Sequence, residues 1–265
     1  MKYAGNLIKM KTVYDDPIRY YLPVGDSEVF MNELIGSEIS LRFTGQINCI
    51  SCGKQTKTSF GQGFCYNCLQ TAPEASETIM RPELSKAHLG IARDIDWARE
   101  HDLIEHFVYL AVSHELKVGV TRHHQVPTRW IDQGASYAIR LSSTPNRHIA
   151  GVIEVFLKDH FTDKTNWRAM LQNQIAENID LPKEKKNANM LLPKELQQYY
   201  MEDNQVWEFN YPVMHYPEKL TSVSFDKEIE QKGVLQGIKG QYLIFDGGRV
   251  LNIRKHNGYF IEFEA

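Results

Sequence analysis

Cys49, Cys52, Cys65 and Cys68 form two Cys-x-x-Cys pairs with twelve residues between them. No other feature of the chain restricts its local fold as strongly. Zinc takes four thiolates at the corners of a tetrahedron, and two pairs, each held in a tight turn, supply that geometry with little further ordering of the chain. These are the only cysteines in the sequence. The pairs therefore read as one closed, structural zinc site, and zinc is the expected cofactor. The competing uses are two disulfides, which a reducing compartment disfavours, or four reduced cysteines without metal. Between the pairs, the strand-like stretches 56–60 and 63–66 suit a hairpin of zinc-ribbon type.

The 265 residues are long enough for two compact domains or for one domain with extensions. A 42% share of hydrophobic residues against 24% charged is that of a globular chain that buries a real core. No run approaches the roughly 18 consecutive apolar residues of a membrane span, and residues 1–16 lack a signal-peptide core. A cytoplasmic location and no membrane partner are expected. The net charge of −3 excludes a protein that coats nucleic acid through bulk electrostatics, so any such site has to be a local patch. The stretch from Lys117 to Arg147 offers one: it adds Arg122, Arg129 and Arg140, with His123 and His124, against the single acid Asp132. A solvated basic face is the plain alternative.

The element pattern predicts an α+β fold. Residues 19–24 and 38–47 read as strands of a small N-terminal sheet, divided by a turn at Gly25–Ser27. Residues 73–105 read as a turn-rich connector packed on the zinc module, with a short helix within 94–105. A hairpin of strands 106–112 and 116–122 follows, then a helix from Pro127 to Gly134 and a strand over 136–141. Helical spacing of Ile149, Val152, Ile153, Phe156 and His160 predicts a helix over 146–161, and Trp167, Leu171, Ile175 and Ile179 a second over 163–179. A mixed helical connector, 181–205, leads to C-terminal strands at 241–245, 249–253 and 258–263, with a turn at Asp246–Gly248. The expected segments are 1–48, 49–105 with the zinc module, 106–180, and a connector and β-rich region over 181–265.

The order hairpin, helix, strand and two helices across 106–179 resembles the core of the GIY-YIG endonucleases. "FVYL" places Tyr109 at the tyrosine of the first strand motif. "KVG" resembles the second motif, with Lys117 where many members have tyrosine. Arg129 matches the arginine of the following helix, Glu154 the metal-binding glutamate and Asn166 the late asparagine. The whole chain, from the N-terminal strands through the four cysteines to "GIKGQYLIFDGGRVLNIR", is similar to a bacterial family of undetermined function.

The resemblance implies a divalent-metal-dependent phosphodiesterase acting on nucleic acid, DNA and RNA being equally open. Glu154 would hold Mg²⁺ or Mn²⁺, leaving the ion waters with which to meet a phosphate. Arg129 would offer its fork of donors to that phosphate. Tyr109 would orient or deprotonate the attacking water, Lys117 would neutralise developing charge, and Asn166 completes the set. Arg122, His123, His124, Arg140 and Arg147 would extend the nucleic-acid contact. Two other classes stay open: a nucleic-acid-binding module without cleavage, and a zinc-stabilised scaffold for a protein partner. Each residue also has a structural reading: Tyr109 as a core tyrosine, Arg129 paired with Asp132, Glu154 on the surface and Asn166 as a helix cap.

Overall fold

The computed structural model describes residues 1–162 and 165–265. Asp163 and Lys164, the first two positions of the helix expected over 163–179, lie outside the described residues. The chain is a mixed α+β protein, as expected, and it divides into two compact units: 1–75 with 209–265, and 76–208. The sequence-based division into four consecutive segments differs from this, because strands from the two ends of the chain pair with each other.

The first unit begins with β1 (Lys2–Asn6), β2 (Lys11–Val13), β3 (Arg19–Val24), β4 (Ser27–Phe30), β5 (Glu38–Asn48), β6 (Gln55–Thr56) and α1 (Tyr66–Thr71). The second unit holds α2 (Ile95–His101), β7 (His106–Val112), β8 (Leu116–Arg122), α3 (Thr128–Asp132), β9 (Tyr137–Thr144), α4 (Arg147–Leu157), α5 (Trp167–Leu171), α6 (Leu181–Leu191), α7 (Lys194–Gln197) and β10 (Val206–Glu208). The first unit then closes with β11 (Thr221–Val223), β12 (Glu230–Lys239), β13 (Tyr242–Phe245), β14 (Arg249–Asn252) and β15 (Tyr259–Glu264).

In the first unit one sheet runs in the order β1-β15-β5-β12-β13-β14-β11, with β6 pairing to β5. Its pairs are antiparallel except β11 with β14. The long strand β5 meets β12 on one side and β15 on the other, so both chain ends are needed to build it. Burial alternates along β15, with Tyr259, Ile261 and Phe263 inward and Glu262 and Glu264 outward, the period-two pattern of a sheet with one covered face. A separate sheet, β2-β3-β4, turns at Gly25, whose φ of 59° suits glycine. That turn presses against Gly5, where a Cβ would overlap the Gly25 backbone.

The second unit carries an antiparallel sheet in the order β10-β9-β7-β8. The hairpin 106–112/116–122 is as the sequence predicts. Val108, Leu110 and Val118 turn to one face, where they meet Ile139 and Leu141 of β9 and Ala150, Ile153 and Leu157 of α4. Tyr109, Lys117 and Gly119 turn to the other face, since successive strand residues alternate. Tyr109 there meets Trp130 of α3 edge to face at 5.7 Å.

Three expectations change. The buried stripe of α4 is Ala150, Ile153, Glu154 and Leu157, and Phe156 is exposed. The helix expected over 163–179 is only α5, because Asn173 and Asn178 adopt positive φ and break it. Residues 76–105 pack within the second unit: Pro82–Leu84 lies on α4, and Arg147 donates to the carbonyls of Thr78 and Ile79.

Candidate functional site

The four cysteines lie where β5 ends and α1 begins. Cys49 follows the last residue of β5, and the Gly53 N–H returns to the Cys49 carbonyl at 2.9 Å, closing the first turn with Gly53 at φ 71°. Cys65 is the N-cap of α1, its sulfur accepting from the Cys68 N–H at 3.4 Å. The second pair is thus a loop-to-helix turn, where the sequence reading has a strand at 63–66. All four sulfurs lie within 4.8 Å of one another. A tetrahedral metal–sulfur bond of about 2.3 Å places sulfurs about 3.8 Å apart, so a small contraction closes the shell. Cys49 and Cys68 are buried beside Phe64 and Ala72, and Cys52 is exposed. Burial works against the Cys49 thiolate, but N–H donation from Cys52, Cys65 and Ser51 outweighs it and draws the thiol down to about 6. Among the described residues, this is the only gathering of three or more His, Cys, Asp or Glu side chains able to hold a metal ion.

In the second unit, β7, β8, α3 and α4 bring a set of polar groups around one phenol. Tyr109 is 1% exposed, and its hydroxyl donates to Gln133 Oε1 at 2.8 Å. Lys117 is 3% exposed; its Nζ donates to the same Gln133 oxygen at 2.8 Å and to Thr165 Oγ1 at 2.7 Å. Arg129 and Gln133 lie one turn apart at the end of α3, so both reach the phenol from one side. Burial pushes the Tyr109 phenol up; the Arg129 guanidinium opposes the shift and the Glu154 carboxylate adds to it. Burial likewise draws Lys117 down to about 7, and the positive charge of Arg129 adds to the effect. Glu154 is 9% exposed on the inward stripe of α4, with Lys158 Nζ at 3.7 Å. Tyr109, Lys117 and Arg129 therefore come together, and the Glu154 carboxylate on α4 is near enough to act electrostatically on the phenol.

Asn166 has a different setting. Its side chain accepts from the Ala169 N–H and caps α5. It also lines a cavity of about 250 Å³ with Ser113, His114, Glu115, Thr162 and Thr165, so Thr165 stands between that cavity and Lys117.

The basic stretch does not form one exposed patch. Arg147 is held internally by the Thr78 and Ile79 carbonyls, with Asp102 at 3.8 Å. Arg140 pairs with Asp203 and lies over the Phe107 ring. His123 and His124 are exposed on a short turn after β8. Arg122 is half-buried, and burial lowers its pKa while Asp102 raises it and Arg129 lowers it further. Arg122, His123, His124 and Arg129 are the outward part of the set.

A family model described as "Protein of unknown function (DUF2797)" matches residues 36–261. The chain belongs to this family. The matched span includes all four cysteines and every residue gathered around Tyr109. No curated protein and no solved structure matches the chain significantly.

Gln133 and Thr165 join the site without having been singled out in the sequence, and Gly119, the last residue of "KVG", joins them. Gly119 faces Tyr109 across the hairpin, and a Cβ there would stand 2.6 Å from the phenol oxygen. It is the one of the three with a sequence signal, a glycine inside a β-branched strand, which marks close approach of another group. Among the described residues, no helix is long and apolar enough to cross a membrane.

Proposed function

We propose that this chain is a divalent-metal-dependent phosphodiesterase acting on nucleic acid, on a core similar to that of the GIY-YIG endonucleases. The supporting observation is that Tyr109, Lys117 and Arg129, all read from the motif positions, gather around Gln133, with the Glu154 carboxylate acting on the phenol. The order β7, β8, α3, β9, α4 agrees with the resemblance.

Phosphodiester hydrolysis needs a nucleophilic oxygen, an in-line approach and stabilisation of the charge that builds on the phosphate. Glu154, whose carboxylate lies 3.7 Å from Lys158 Nζ, would be the residue to hold Mg²⁺ or Mn²⁺. Such an ion, when bound, supplies Lewis-acid stabilisation and an activated water. Arg129 offers the phosphate a guanidinium fork. The Tyr109 hydroxyl, kept protonated by burial and fixed by Gln133, orients rather than deprotonates. Arg122, His123 and His124 extend the contact along the polynucleotide. The four cysteines take zinc, the ion that favours four thiolates in a closed tetrahedron, and it stabilises the first unit without entering the chemistry. Reduced cysteines that hold a metal fit a reducing, cytoplasmic setting.

The test is cleavage of labelled DNA and RNA oligonucleotides with Mg²⁺ or Mn²⁺. Glu154→Gln should abolish cleavage and leave binding nearly intact. Equal trace activity in parent and variant would identify a contaminant. A second reading, a binding module without cleavage, is favoured by one observation: Tyr109 and Lys117 are buried with their donors already given to Gln133 and Thr165. Salt-sensitive binding with no cleavage under any metal would establish it.

A further inference from the structure

The geometry points to Lys117 as the proton acceptor of this site: it rests as a neutral amine, with two N–H bonds given to Gln133 and Thr165 and a lone pair left to receive the proton of the attacking water. The inference deepens the phosphodiesterase reading and rests on it.

An ammonium has three donors, and a buried donor without an acceptor is costly. The structure gives Nζ two hydrogen-bond acceptors, and both are neutral oxygens. Two N–H bonds and one lone pair suit that environment; three N–H bonds do not. Charge points the same way. Among the described residues no carboxylate lies within ion-pairing distance of Nζ, and the charge that acts on it is the positive Arg129. The groups facing Lys117 are Tyr109 from β7, Arg129 and Gln133 from α3 and Thr165, while Glu154 of α4 acts on Tyr109; Asp163 and Lys164 lie outside the described residues. Burial in this setting brings Lys117 down to about 7, where an amine is an effective general base near neutral pH.

Tyr109 is poorly suited to the same task. Its proton is engaged by Gln133 Oε1, and burial holds it on the oxygen. Gln133 is then the positioning residue, since one carbonyl oxygen fixes both the phenol and the amine. Thr165, which accepts from the amine, also lines a cavity of about 250 Å³ with room for water on its other side. In the step itself, a water proton passes to Nζ as the water oxygen bonds to phosphorus. The ester P–O bond breaks, and the departing alkoxide takes a proton from solvent. The products are a phosphomonoester and an alcohol, and the ammonium returns its proton to solvent.

The test uses the full, zinc-loaded chain with ¹³Cε-labelled lysine, following the Lys117 resonance, assigned with Lys117→Arg, from pH 5.5 to 10.5. The expected midpoint is near 7. Gln133→Glu should move it up by about one pH unit or more, since a carboxylate there favours the ammonium. The rising limb of the pH–rate profile for Mn²⁺-dependent oligonucleotide cleavage should coincide with that midpoint and move with it. Lys117→Arg, which keeps the charge but accepts no proton, should lose about 100-fold or more in rate. A midpoint above about 9 overturns the inference whatever the activity, and so does near-parental cleavage by Lys117→Arg. A midpoint near 7 in a chain that cleaves nothing removes the phosphodiesterase reading, and the hydrolytic role with it, while the neutral amine stands.

Discussion

Replacing Lys117 by methionine should change how the stability of the second unit depends on pH, and the size of the change follows from the structure. A lysine free in the unfolded chain titrates near 10.5, whereas burial holds the folded one at about 7. Below about 7 both states carry the proton, and the native state bears the whole cost of burying it, roughly 5 kcal/mol at about 1.4 kcal/mol per pH unit. Between the two values the unfolded state binds a proton that the native state lacks, so stability rises with pH. Above about 10.5 the term vanishes. Methionine has no such proton, and its loss of hydrogen bonds to Gln133 and Thr165 is a constant offset. The parent should therefore gain roughly 2.5 kcal/mol on Lys117→Met between pH 6 and pH 9. All four tryptophans, Trp97, Trp130, Trp167 and Trp207, lie in the second unit, so their fluorescence during urea denaturation reports on that unit. A difference that stays flat or shrinks with rising pH refutes the reasoning.

Other outcomes follow from single contacts. Metal analysis should find about one zinc per chain with sulfur-only ligation by X-ray absorption, and Cys49→Ser should destabilise the first unit; nitrogen ligands would contradict the site. Gly151→Ala places a Cβ against the backbone of Pro82 and Glu83, which no rotamer relieves, so despite alanine's better helix propensity it should cost roughly 1–3 kcal/mol in thermal or urea unfolding. Arg122→Ala should reduce the salt dependence of oligonucleotide binding by about one phosphate contact, while Arg140→Ala, whose charge is already taken by Asp203, should leave that slope unchanged. Tyr109→Phe should slow cleavage and leave the fold intact, because only the hydroxyl bond to Gln133 is lost.

The sequence by itself determined the parts governed by local rules. The cysteine spacing gives four sulfurs within 4.8 Å, since two short turns carry most of the geometry. The β-branched runs give the hairpin β7–β8 to the residue, because strand periodicity and the polar turn between them are local. Helical spacing locates α4, although the face it buries is set by the sheet it meets, which turns Glu154 inward and Phe156 outward. The long-range pairings were decided only by the tertiary structure. Nothing near Ser40 in sequence tells that Glu264 will lie opposite it, and this pairing joins the chain ends into one unit. The same holds for the charge states at the candidate site. A lysine in an apolar strand and an arginine twelve residues on read as a basic patch, because sequence cannot show which cations are desolvated. Packing removes Lys117 and Arg147 from that patch and gives each an internal partner, while Arg140 is paired with the exposed Asp203. It also brings in Gln133, whose ordinary polar side chain becomes the link between a buried phenol and a buried amine only where α3 crosses the hairpin. Local hydrogen-bond and burial patterns are encoded within a few residues, whereas the dielectric around a charge depends on every segment that surrounds it.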